Sequence, residues 1–154
     1  MRINSKWGVK KLGKICIVIA GQSPKGDYYN NNGKGLPFYQ GKKEFTDKYV
    51  GYPTVWTTKI TKEAQKGDIL ISVRAPVGPI NFAMEKICIG RGLAAIRPVS
   101  KNGFSNDYLF FFLTSIQNKI KGSVGAVFAS INKSQIENIL VPVPPINEQK
   151  KNCC

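Results

Sequence analysis

Apolar residues in this chain come in short, β-branched runs, and glycine or proline cuts most of them off. Ile15 to Ala20 is stopped by Gly21, and Ile69-Leu70-Ile71-Ser72-Val73 by Ala75-Pro76-Val77-Gly78-Pro79. Runs this short read as strands, because an amphipathic helix needs about ten residues or more to show its period. Leu36–Gln40, Thr54–Lys59, Ile80–Ala83, Lys86–Ile89 and Leu93–Arg97 repeat the pattern. The period then changes. Leu109, Phe112, Leu113, Ile116 and Ile120 fall at helical spacing between Asp107 and Lys121, with Ser105 or Asn106 to cap the start and Gly122 to end it. Phe110-Phe111-Phe112 therefore reads as core rather than as a stacking surface. A short helix is expected over Lys133–Asn138, where Asn132 and Gln135 form a capping-box pattern. Ile139–Val143 is a last strand, and Pro144-Pro145 opens another helix at Ile146. The sum is one α+β domain over residues 1–145: a curved, mostly antiparallel sheet with helices packed at the C-terminal end. Residues 146–154 read as the start of a truncated helix.

Charge narrows the function. The chain has 23 Lys and Arg against 9 Asp and Glu, a formal net charge of +14. Such an excess suits a polyanionic partner: nucleic acid, an anionic membrane or an acidic protein. No apolar run approaches the ~20 residues of a membrane span, and the first residues lack a signal-peptide core, so a cytoplasmic protein is expected. Cys16 and Cys88 lie in apolar runs and read as buried, reduced thiols. Cys153-Cys154 has no zinc-ligand spacing and the chain has no histidine, so no metal site is expected.

The same absence removes Ser-His-Asp and Cys-His catalysis. No Gly-x-x-x-x-Gly-Lys-Ser/Thr loop is present. Val143-Pro144-Pro145-Ile146 lacks the flanking residues of an amino-methyltransferase motif. A nuclease site, which commonly sets an acid two residues before a lysine, is not expected either. The chain reads as a binder that catalyses nothing.

The long polar segment from Gly21 to Gly35 is a loop by composition, and loops of this length are usually functional. Within it Gln22 can pair two-pronged with adenine, Lys25 can meet phosphate or guanine, and Ser23 and Tyr28 accompany them. Glycine in the Gln22–Tyr29 loop would let the backbone approach DNA closely. Gln40-Gly41-Lys42-Lys43 joins a base-reading amide to two cations, though it reads equally as a solvated hairpin tip. Thr57, Thr58 and Lys59 suit phosphates or base edges, while Trp56 reads as core. Arg74 and Arg91 can reach guanine or phosphate; the plainer reading has them tying loop carbonyls together. Ser130, Asn132 and Lys133 stand at a helix start that favours an anion, where simple capping is the alternative.

Several blocks carry a resemblance. Leu12-Gly13-Lys14-Ile15, Gly21-Gln22-Ser23-Pro24-Lys25-Gly26, Leu36-Pro37-Phe38-Tyr39-Gln40-Gly41 and Gly67-Asp68-Ile69-Leu70-Ile71-Ser72 come first. Arg74-Ala75-Pro76-Val77-Gly78, Ile89-Gly90-Arg91-Gly92-Leu93, Gly125-Ala126-Val127-Phe128, Ile131-Asn132 and Val141-Pro142-Val143-Pro144-Pro145 follow. Each block is weak alone; in order over nearly the whole chain they resemble the target-recognition domain of type I restriction–modification specificity subunits. The resemblance implies a partner, double-stranded DNA, and sequence-specific recognition without catalysis. It also implies docking with methylation subunits and, through them, restriction subunits. S-adenosylmethionine, ATP and magnesium would serve those subunits, leaving this chain without a cofactor. A homodimer of two such half-subunits stays open. The rival reading is a truncated interaction protein that docks on the methylation subunit without binding DNA specifically. A small nuclease or methyltransferase and an RNA-binding module are the remaining alternatives.

Overall fold

The computed structural model describes residues 6–99, 104–123 and 125–152. The expected strands form, and the single sheet divides. β2 (Cys16–Ala20), β10 (Leu93–Pro98), β7 (Ile69–Ser72) and β8 (Ile80–Phe82) make a four-stranded antiparallel sheet in that order. β3 (Tyr29–Asn30), β5 (Trp56–Thr57), β4 (Leu36–Tyr39), β9 (Ile87–Ile89) and β6 (Glu63–Ala64) make a second sheet. Its β4–β9 pair is parallel, and the others are antiparallel. β1 (Gly8–Lys11) pairs with β13 (Leu140–Val143), and β11 (Gly122–Ser123) with β12 (Ala126–Val127).

Strand alternation explains why two cores exist. On β7, Ile69 and Ile71 face one cluster with Leu12, Tyr108, Leu109, Phe112 and Leu113. Leu70 faces the other, with Tyr39, Ile87 and Ile89. β10 divides likewise, Ala94 and Ile96 to the first and Leu93 and Ala95 to the second. The central strands are thus covered on both faces and read as continuous apolar runs. One face meets the helices and the other meets the second sheet.

The helices depart from expectation twice, at the long segment and in an unexpected turn near the start. The helical segment divides into α2 (Asn106–Ser115) and α3 (Gln117–Ile120), because Ile116 leaves helical geometry at φ −109°, ψ 7°. The Ser105 side chain caps α2 through the Tyr108 N–H, and Gly122 follows α3 with φ +126°. Phe110 stacks on Phe82 with ring centroids 4.3 Å apart, and Phe112 is buried. Before these lies the one-turn α1 (Leu12–Ile15), which buries Leu12 and Ile15. α4 (Lys133–Glu137) has the full capping box of Asn132 and Gln135. α5 (Ile146–Asn152) is fastened by Gln149, which accepts from the Ser105 N–H at 2.8 Å and donates to the Pro144 carbonyl at 2.9 Å. Cys16 and Cys88 are buried free thiols, and burial pushes Cys16 up to about 12. The Cys153-Cys154 pair lies outside the described residues. No helix among the described residues is long and apolar enough to cross a membrane.

Candidate nucleic-acid interface

Three loops meet at the ends of β2, β4 and β9. The Gly21 N–H donates to the Leu93 carbonyl (2.9 Å) and the Gln22 N–H to the Ile89 carbonyl (3.0 Å). The Gly92 N–H donates to the Gln40 carbonyl (2.9 Å) and the Gly90 N–H to the Tyr39 carbonyl (2.8 Å). Glycine is required at this junction. A Cβ on Gly21 would lie 2.0 Å from the Gly90 carbonyl oxygen, and one on Gly92 would lie 2.6 Å from that of Gln40. Gly21, just before the Gln22–Tyr29 loop, thus brings loops to one another. Gly26, by contrast, faces open space.

Side chains continue the junction. The Ser23 hydroxyl donates to Gln40 Oε1 (2.7 Å) and accepts from the Arg91 N–H (3.1 Å). Thr61, unremarked in the sequence, donates its hydroxyl to the Gln22 carbonyl. The Thr58 N–H reaches the Tyr28 carbonyl (3.2 Å), which ties that turn to the Gln22–Tyr28 loop. The loop itself is ordered: Asn30 Oδ1 accepts from the N–H groups of Asn32 and Lys34, and Asn30 Nδ2 donates to the Lys34 carbonyl. Lys25 and Tyr28 are exposed on it. Lys43 and Gln40 share the wall of a hollow of about 400 Å³ with Tyr29 and Phe38, and Lys42 is exposed in the adjoining turn.

Beside Arg91 lies a notch of about 290 Å³ lined by Arg74, Arg91, Ser130, Asn132 and Lys133. A long-range pairing builds it. The Ala75 N–H donates to the Ala129 carbonyl and the Ile131 N–H to the Val73 carbonyl, both at 2.8 Å, with Arg74 bridged to Ser130. Ser72 fixes the Arg74 loop from beneath through the carbonyls of Arg74 (3.1 Å) and Pro76 (2.9 Å). Arg74, Arg91 and Lys133 are exposed, and the salt bridges seen among the described residues involve other cations: Lys86 with Glu63 and Arg97 with Asp68. The notch thus gathers three cationic side chains, none of them in a salt bridge among the described residues.

Two candidates change meaning. Thr57 is fully buried, and its hydroxyl is committed to the Lys59 backbone, so it is removed from the contact set; Thr58 and Lys59 remain exposed. Asn132 Oδ1 accepts from the Gln135 N–H at 2.8 Å and is occupied as a cap, although the residue still lines the notch. Acid-x-lysine spacing does occur once, at Glu148-Gln149-Lys150. Gln149 is buried there, and among the described residues no three His, Cys, Asp or Glu side chains gather to hold a metal.

Fold and site together define a class: an α+β recognition domain that presents a cationic face built from loops. Residues 4–153 match the type I restriction modification DNA specificity domain, and the chain belongs to that family. It is 46% identical over 151 residues to the MjaX type I restriction enzyme specificity subunit of Methanocaldococcus jannaschii. That match covers 96% of this chain and 35% of the relative, so the chain spans about a third of the relative's length. The HsdS subunit of Thermoanaerobacter tengcongensis superposes with a TM-score of 0.86 at 38% identity, over 99% of this chain and 37% of that one. A type I R-M structure solved for complex assembly and conformational transition gives 0.87 at 39%, over 98% of this chain and 37% of that one.

Proposed function

We propose that this chain is a non-catalytic target-recognition module of a type I restriction–modification system, reading duplex DNA in the cytoplasm. Its partners are methylation subunits and, through them, restriction subunits, which carry the chemistry of S-adenosylmethionine, ATP and magnesium. The observation that carries this reading is the notch: Arg74, Arg91 and Lys133 line it together, and among the described residues none of the three is in a salt bridge with a carboxylate. Cations of this kind suit phosphate, which dominates the affinity of DNA binders, and exposed amides suit base edges. Fluorescence anisotropy on random duplexes at low salt tests it. Binding weakened about equally on all sequences by Arg74→Ala supports the reading; no binding by the unaltered chain opposes it.

A second reading has its own observation. An apolar groove of about 550 Å³ lined by Val9, Phe128, Leu140 and neighbours lies between α2, α4 and the β1–β13 pair, with those three side chains exposed. Docking there on a methylation subunit, without specific DNA binding, is separated from the first reading by pull-down with and without DNA.

A further inference from the structure

Gln40 is held at both its main chain and its side chain by one turn. Its carbonyl accepts from the Gly92 N–H at 2.9 Å, and its Oε1 accepts from Ser23, which the Arg91 N–H holds in turn. The hydroxyl of Ser23 accepts at one side, so its proton is directed to the amide, and only the oxygen end of an amide can take it. This chooses one of the two amide orientations. Gly90 makes the arrangement possible, because a Cβ there would lie 2.8 Å from both Gln40 Oε1 and Ser23 Oγ. Gln40 itself is exposed and lines the hollow it shares with Lys43, while Arg91, between Gly90 and Gly92, lines the cationic notch.

We propose that Ser23 is a specificity-determining positioning residue: it locks the Gln40 amide as a fixed acceptor–donor edge for one adenine in the major groove. The proposal rests on the duplex-DNA reading above and names which residues supply its specificity. An adenine presents a donor at N6 and an acceptor at N7, which an amide in a single orientation matches in two bonds. Guanine presents two acceptors and meets the amide oxygen with repulsion. A fixed edge also loses less conformational freedom on binding than a free one. Arg91 joins the two halves of the site, since its N–H sets Ser23 while its side chain lines the notch.

The test uses the full chain and a random duplex pool, with bound DNA sequenced and thermal melting run beside it. The unaltered chain should enrich a motif with adenine at one position. Gln40→Ala should reduce that preference about tenfold and leave the other positions alone. Ser23→Ala should weaken the preference at the same position by about threefold, a fraction of one bidentate contact, with the other motif positions kept and little change in melting temperature, and Ser23→Thr should restore it. Gln40→Glu should move the preference towards cytosine, whose N4 donates to a carboxylate. An unaltered motif in both alanine variants overturns the assignment while leaving the DNA reading intact. Uniform loss across all positions with a lowered melting temperature in Ser23→Ala also overturns it, because a merely structural serine would act so. No duplex retained by the unaltered chain overturns both.

Discussion

Asp68 brings a charge into the interior, at 2% exposure, and meets it with a two-pronged arginine. Arg97 donates Nε to Oδ1 at 2.8 Å and Nη2 to Oδ2 at 2.7 Å, and the Gln65 N–H adds a third bond at 2.8 Å. The Asp68 hydrogen bond is the largest influence raising the Arg97 guanidinium above its usual range. Removing one partner of a buried pair leaves the other uncompensated, so Arg97→Ala should cost about 3 kcal/mol, the lower part of the usual span because the Arg97 side chain is 27% exposed. Urea denaturation checks this, and a change under about 1 kcal/mol would place the pair among weak surface bridges. Asp68 shows what the sequence could and could not tell. Asp68 stood out in the sequence only as part of one block, its partner is a β10 residue, and no local pattern couples the two. Thr57 was misread for a related reason: burial on the short β5 depends on β3 and β4 closing over it, which a run of threonines does not announce.

At the scale of elements, capping and turn chemistry were legible because they act over three or four residues. Asn132 with Gln135 and Ser105 with Tyr108 formed as the residue types dictate. Asn132→Ala should cost about 1 kcal/mol in thermal unfolding; no change would mean that α4 is held by Ile136 packing alone. β1, β3, β6, β11 and β12 were not legible, being short segments whose pairing decides them. The loop junction was half legible: its glycines stood out, but the neighbours that require them did not. Gly21→Ala would push a Cβ against the Gly90 and Leu93 carbonyls, at 2.0 and 2.7 Å, and should destabilise the domain by about 2 kcal/mol as overpacking does. A variant as stable as the parent would show that the junction opens freely.

For the whole molecule, the two-cluster core predicts a particular response to alkali. Burial pushes Cys16 to about 12 from 9.0, and burial is also the first cause holding Tyr39 and Tyr108 near 12 from 10.0. Each folded-state value is raised, so the unfolded chain gives up its proton first as pH rises. Stability from these groups is fully present below about pH 9 and should fall between about pH 9 and 12. Urea midpoints measured across that window test it, a flat profile being the contrary outcome. The overall class was legible in the succession of short runs followed by helical spacing. The division into two sheets around a doubly buried β7–β10 pair was not, since a continuous apolar run states burial without saying by what.

The cationic face is the centre of the account, and salt is its most direct probe. Each phosphate contact contributes a slope of about −0.9 to log affinity against log salt. Anisotropy of a random duplex, titrated from low to moderate salt, should show a steep negative slope for the unaltered chain. Arg74→Ala, Arg91→Ala and Lys133→Ala combined should flatten it by roughly 2.7, three contacts at that rate. An unchanged slope in a folded triple variant would contradict a phosphate-binding role for the notch.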